Sequence, residues 1–97
     1  MSLVMLNDKD PEVLKSLYAH RREVFKDGAL SSKDKELIAI ALSCVSKCEK
    51  CLTHHAEEAK KKGATGEEIL EAIEVAMYMT VPSAMIWTEE IDRIINS

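Results

Sequence analysis

Apolar residues recur along this chain at helical spacings, and no β-hairpin signal or Gly-rich phosphate loop interrupts them. Leu14, Leu17, Tyr18 and Phe25 supply the apolar face of a first helix. It opens on Asp10 as N-cap with Pro11 at its first position, and closes on Gly28. A second helix follows Ser31 and Ser32 and carries "ELIAIALSCVS", whose apolar residues cover more than one stripe, so it is predicted to be the most buried element. A third holds "CEKCLTHH", residues 48–55, and ends near Gly63. "TGEE" from Thr65 is a capping box in which Glu68 reaches back to the Thr65 amide. The fourth helix sets Ile69, Ile73 and Met77 on one face with Ala72 and Ala76 beside them, and Pro82 is predicted to end or kink it ahead of a fifth, "SAMIWTEEIDRII". The pattern predicts an all-α fold, a compact bundle of about five helices in one domain spanning 1–97.

Composition narrows the partners. With 46% hydrophobic and 31% charged residues the chain is a globular domain rather than a disordered one. A net charge of -4 gives no electrostatic case for nucleic acid or an anionic membrane, and the run Lys60–Lys62, set among glutamates, is predicted to be a solvated helix end. No apolar run approaches a membrane span, and the N-terminus lacks the features of a signal peptide, so the expected location is cytoplasmic. The 3 cysteines are too few, and odd in number, for a secreted disulfide framework. In a reducing compartment a close cysteine pair points to redox chemistry or metal binding. So small a chain buries a modest core, which predicts a homo-oligomer.

Candidate chemistry concentrates in the octet. At about 100° per residue, Cys48, Cys51, Leu52, His55 and Ala59 share one inward stripe of a helix, with His54 at its edge. Cys-x-x-Cys at a helix start brings two sulfurs within disulfide reach, and the unpaired N–H groups of the first turn favour a thiolate. The cues for which cysteine attacks disagree: the helix end favours Cys48, whereas His55 at i+4 and Lys50 favour Cys51. Three other readings stand beside thiol catalysis. The cysteines could be small core residues, as Cys44 is predicted to be. Cys48, Cys51 and His55 could hold zinc with Glu36 or His54 as fourth ligand, although no second Cys/His pair exists to complete such a site. The pair could also serve a non-enzymatic redox sensor.

Glu36, eleven intervening residues, then Cys48-x-x-Cys51-x-x-x-His55 resembles the active-site pattern of the alkylhydroperoxidase D-like proteins of the carboxymuconolactone decarboxylase superfamily. "LSSKDKELIAIALS" and "GATGEEILEAIEVA" resemble the helices that flank the motif, so the resemblance covers roughly residues 30–80. It implies an all-helical fold assembled as homotrimers or homohexamers. It also implies hydroperoxide reduction without a cofactor or metal and re-reduction by a dithiol or protein disulfide reductant. Cys51 would be the peroxidatic thiol and Cys48 the resolving one, with Glu36 and His55 relaying protons. On the sequence alone Glu36 reads as a surface carboxylate on the flank of its helix. One departure matters: the family's well-studied members carry a histidine between the cysteines, where this chain has Glu49 and Lys50. That keeps general thiol–disulfide exchange open as the alternative chemistry. The decarboxylase that names the superfamily does not depend on a cysteine pair, so the resemblance points away from lactone decarboxylation.

Overall fold

The structure, a computed structural model, describes residues 3–97 and, outside 81–90, their side chains. Every regular element among the described residues is an α-helix: α1 (Leu3–Lys9), α2 (Pro11–Phe25), α3 (Ser32–Val45), α4 (Glu49–Lys61) and α5 (Gly66–Ile95). The all-α class is the one the periodicity predicts. The predicted break at Pro82 falls among residues 81–90 and lies outside the described side chains. The two helices expected on either side of it form the single element α5. The chain packs as two units, Met1–Ser32 and Lys33–Ser97.

In the first unit α1 packs on α2. Asp10 caps α2 as expected, its side chain accepting the Val13 N–H at 3.4 Å, with Pro11 first in the helix. The helix stops at Phe25 rather than at Gly28, because Lys26 is already extended (ψ 159°) and the Gly28 N–H turns to the Leu30 carbonyl at 2.9 Å. Leu3, Leu14, Leu17, Tyr18, Val24 and Phe25 line an open apolar groove of about 500 Å³.

The second unit is built on α3, α4 and the first turns of α5. Ile40, Ala59 and Ala64 are buried at its centre, with Leu37, Leu52, Ala56, Ile69, Ala72 and Ile73 packed against them. Two corners of one kind join these helices. After α3, Lys47 takes a left-handed conformation (φ 57°), its N–H donates to the Cys44 carbonyl at 3.2 Å, and the Cys48 N–H donates to the Ser43 carbonyl at 3.0 Å. After α4, Gly63 does the same (φ 94°): its N–H meets the Lys60 carbonyl at 3.1 Å and the Ala64 N–H meets the Ala59 carbonyl at 2.9 Å. Both are Schellman closures, in which otherwise orphaned carbonyls of a last turn are satisfied. The second carries its apolar contact as well, since Ala59 and Ala64 share the core.

The capping box is present in full: the Glu68 N–H donates to Thr65 Oγ1 at 3.1 Å and the Thr65 N–H to Glu68 Oε1 at 2.9 Å. Lys33 reaches across from α3 to Glu68 Oε2 at 2.9 Å, so one carboxylate closes α5 and ties it to α3. The Thr65 amide, and then Lys33, hold the Glu68 carboxyl below its ordinary value, and the Glu68 bond raises Lys33. Two predicted faces are divided rather than buried. On α3 the core stripe is Glu36, Ile40 and Ser43, while Ile38, Leu42 and Val45 form a second stripe that is exposed. On α5, Ile69, Ala72 and Ile73 pack against the core and Ala76 is buried, but Met77 is exposed.

Candidate active site

The corner between α3 and α4 delivers the cysteines. Cys48 gives its backbone N–H to the end of α3 and its side chain to the start of α4, where Sγ accepts the Cys51 N–H at 3.3 Å as N-cap. Cys48 and Cys51 are joined by a disulfide, with Cα atoms 5.3 Å apart. Cys48 is half-buried and Cys51 is exposed. The helical-face reading set both sulfurs inward. Cys51 departs from it, because the packed face of α4 runs through Leu52, Ala56 and Ala59 and Cys51 lies off that line.

His55 lies one turn beyond Cys51 and is half-buried, and its Nδ1 stands 2.8 Å from Glu36 Oε2. Glu36 is not the surface carboxylate that its sequence position suggests: it is 1% exposed. It lies at i−4 from Ile40 and i−7 from Ser43, so the stripe that buries those residues buries it too. Its other oxygen, Oε1, accepts from Lys62 Nζ at 3.0 Å. A carboxylate only accepts, so the His55 Nδ1–H donates to Glu36.

Lys62 is the residue that sequence reasoning missed. It belongs to the basic run Lys60–Lys62, for which the sequence predicts a solvated helix end, and Lys61 fits that expectation, its ion pair with Glu58 being exposed. The available signal was spacing: Lys62 is seven residues, two turns, from His55 and shares its face of α4. His54 sits against the site without joining the carboxylate, its ring edge-on to that of His55 with centroids 5.0 Å apart. Cys44 is a free thiol, half-buried rather than part of the core. Together with Ser43, Lys47, Cys48 and Leu52 it lines a groove of about 330 Å³ beside the disulfide. Among the described residues no three Cys, His, Asp or Glu side chains converge on a point that would hold a metal ion. The sulfurs are bonded to each other, and Glu36 faces His55 and Lys62.

The site is therefore a buried carboxylate bonded to an imidazole, one turn along a helix that begins with a Cys-x-x-Cys pair. The chain belongs to the carboxymuconolactone decarboxylase family, whose sequence profile matches residues 11–90, more than the motif and its flanks. A crystal structure of a protein from Methanobacterium thermoautotrophicum is 37% identical, covers 87% of this chain and 94% of that one, and superposes with a TM-score of 0.77. A carboxymuconolactone decarboxylase family protein from Legionella pneumophila is 38% identical over 79% of this chain and 69% of its own, with a TM-score of 0.74. A third structure, a family member from Thermotoga maritima for which an antioxidative role has been suggested, is 28% identical over 82% of this chain and 90% of its own, with a TM-score of 0.60. An uncharacterised protein of the cox locus of Paracoccus denitrificans is 46% identical over 61 residues. That match covers 63% of this chain and 55% of the relative, so the chain spans about half that protein's length. The family includes enzymes. No helix among the described residues is long and apolar enough to cross a membrane.

Proposed function

We propose that the Cys48–Cys51 pair is a redox centre that reduces hydroperoxides, as in alkylhydroperoxidase D-like proteins, and is itself re-reduced by a dithiol or protein disulfide reductant. The observation that carries this reading is the buried Glu36 carboxylate bonded to His55 on the helix that the disulfide begins. Burying a carboxylate is costly unless it is paired, and orienting a proton-carrying imidazole near a thiol is a chemical reason to do so.

The reaction closes as follows. The Cys51 thiolate attacks the peroxide: an S–O bond forms, the O–O bond breaks, and the departing alkoxide takes a proton carried by His55. The resulting sulfenic acid is attacked by Cys48; the S–S bond forms, the S–O bond breaks and water leaves. Two thiols and one hydroperoxide give one disulfide, one alcohol and one water, and the reductant returns two electrons and two protons. Exposure favours the incoming reductant thiolate at Cys51. Cys48 is then the leaving sulfur, its developing charge met by the Cys51 N–H that already caps it.

Thiol titration of the reduced, metal-free protein tests the proposal. One equivalent of hydroperoxide should remove two thiols and yield one equivalent of alcohol, whereas unchanged thiols overturn it. Glu49 and Lys50, in place of an inter-cysteine histidine, favour a second reading in which the oxidant is another disulfide. In that case a disulfide substrate removes the two thiols and a hydroperoxide does not. The working form we propose is a homotrimer or homohexamer in the cytoplasm, supported by the apolar stripe Ile38–Leu42–Val45 that α3 leaves exposed.

A further inference from the structure

We propose that Lys62 is a positioning residue of this site, holding Glu36 in the one orientation that meets His55 with an N–H acceptor. The inference rests on the redox reading above for its rate consequence, but not for its structural one.

Glu36 has two oxygens, 1% exposure and two partners on α4: His55 Nδ1 at 2.8 Å from Oε2 and Lys62 Nζ at 3.0 Å from Oε1. A carboxyl group on a flexible side chain has several rotamers, and one bond to an imidazole does not choose among them. Two bonds from positions two turns apart on a single helix fix both the position of the group and its plane. Charge points the same way. A buried carboxylate requires a counter-charge, and the Lys62 ammonium at 3.0 Å supplies one, so the His55 contact does not have to. Without Lys62 the cheapest counter-charge at hand is the imidazolium of His55, which has no lone pair with which to take a proton.

The placement of Lys62 follows from the backbone. It is the C-cap of α4, its N–H shared between the Glu58 and Ala59 carbonyls, and left-handed Gly63 turns the chain away immediately after it. Lys61, one residue earlier, points to Glu58 instead. The ammonium that reaches Glu36 is therefore selected by register, not by the local abundance of lysine. Its side chain is 30% exposed and sits outside the apolar cluster, so its removal leaves the core contacts intact.

The test compares wild type, Lys62→Met and Lys62→Arg, each also in a Glu36→Gln background. Two readouts are taken: ¹⁵N NMR of the histidine rings, which reports tautomer and charge, and the rate of thiol loss of the reduced protein with hydroperoxide. At neutral pH the wild-type His55 ring is expected to carry its proton on Nδ1. Lys62→Met should lose that single-tautomer signature and slow thiol loss on the order of tenfold, and Lys62→Arg should keep the signature and most of the rate. In the Glu36→Gln background Lys62→Met should add nothing, because the group it positions is already altered. A His55 spectrum and rate unchanged in Lys62→Met overturn the proposal, as does an equal effect of Lys62→Met with and without Glu36. A wild type inert to hydroperoxide removes the proposed function but leaves the NMR comparison to decide the role of Lys62.

Discussion

Glu36 is out of water and bonded to both His55 and Lys62, and His55 lies one turn beyond Cys51 on the same helix, the position from which the proposed reaction needs it to carry a proton. His55→Ala should therefore slow oxidation of reduced Cys51 by hydroperoxide by roughly a hundredfold, a magnitude typical of losing a general acid–base group. His54→Ala, which removes a ring contact but no partner of Glu36, should do much less. Stopped-flow thiol loss in the two variants measures the difference, and equal effects would show that His54 shares the proton relay. The cysteines separate in the same way. Cys48→Ser should react once and accumulate a sulfenic acid at Cys51 that a dimedone-type probe traps, and Cys51→Ser should not. Trapping in the opposite variant would make Cys48 the attacking sulfur, as the helix-end cue by itself would have it.

At the scale of elements, stability is set at helix ends. Thr65→Ala removes the α5 cap and should cost about 1 kcal/mol. Gly63→Ala meets no atom within 4 Å, so its cost is the left-handed backbone alone, again about 1 kcal/mol. Lys47 holds a similar conformation without being glycine, and Lys47→Gly should stabilise by several tenths of a kcal/mol, visible as a rise in Tm of a few degrees. The Lys33–Glu68 tie is pH-dependent with a known sign. The carboxyl of Glu68 is lowered from 4.5, so the folded chain binds fewer protons there than the unfolded one. Its contribution is complete above that ordinary value and is lost as pH falls through the lowered one. Lys33 is raised from 10.5, so its part is complete below that value and is lost as pH rises through the raised one. The Tm difference between wild type and Glu68→Gln should accordingly be present at neutral pH and vanish in acid. These ends were readable in advance, because Asp10, Pro11, Gly63 and the Thr65–Glu68 box act within a few residues of themselves. The burial of Glu36 and the part played by Lys62 were not, because the two are joined through space between α3 and α4, and a lysine on a helix end carries no mark of which way it turns. Lys47 was silent too, since the αL position that usually advertises itself as glycine is here filled by an ordinary side chain.

For the whole molecule the relevant quantity is apolar surface left uncovered. Ile38, Leu42 and Val45 recur at i, i+4 and i+7 along α3, the pattern of a helix face that packs on something, and Leu42 is 62% exposed. Sedimentation velocity should find a species several times the 10.9 kDa of the chain, and Leu42→Glu should shift it toward monomer without loss of helical content. A wild type that sediments as a monomer at micromolar concentration would leave that stripe to another partner.

The corner at Lys47 and Cys48 turns the distance from Glu36 to the first cysteine into a ruler. About two and a half turns of α3, a closed corner and the first two turns of α4 set the spacing between the carboxylate, the cysteine pair and the imidazole. One alanine inserted within α3 between Glu36 and Ser43 would rotate Glu36 by about 100° and shift it about 1.5 Å relative to everything downstream. The cysteines, His55 and Lys62 would all remain, each on its own helix, and the carboxylate would face elsewhere. The interval of eleven residues is thus a machined length rather than a linker, and changing it disconnects the parts without removing any of them.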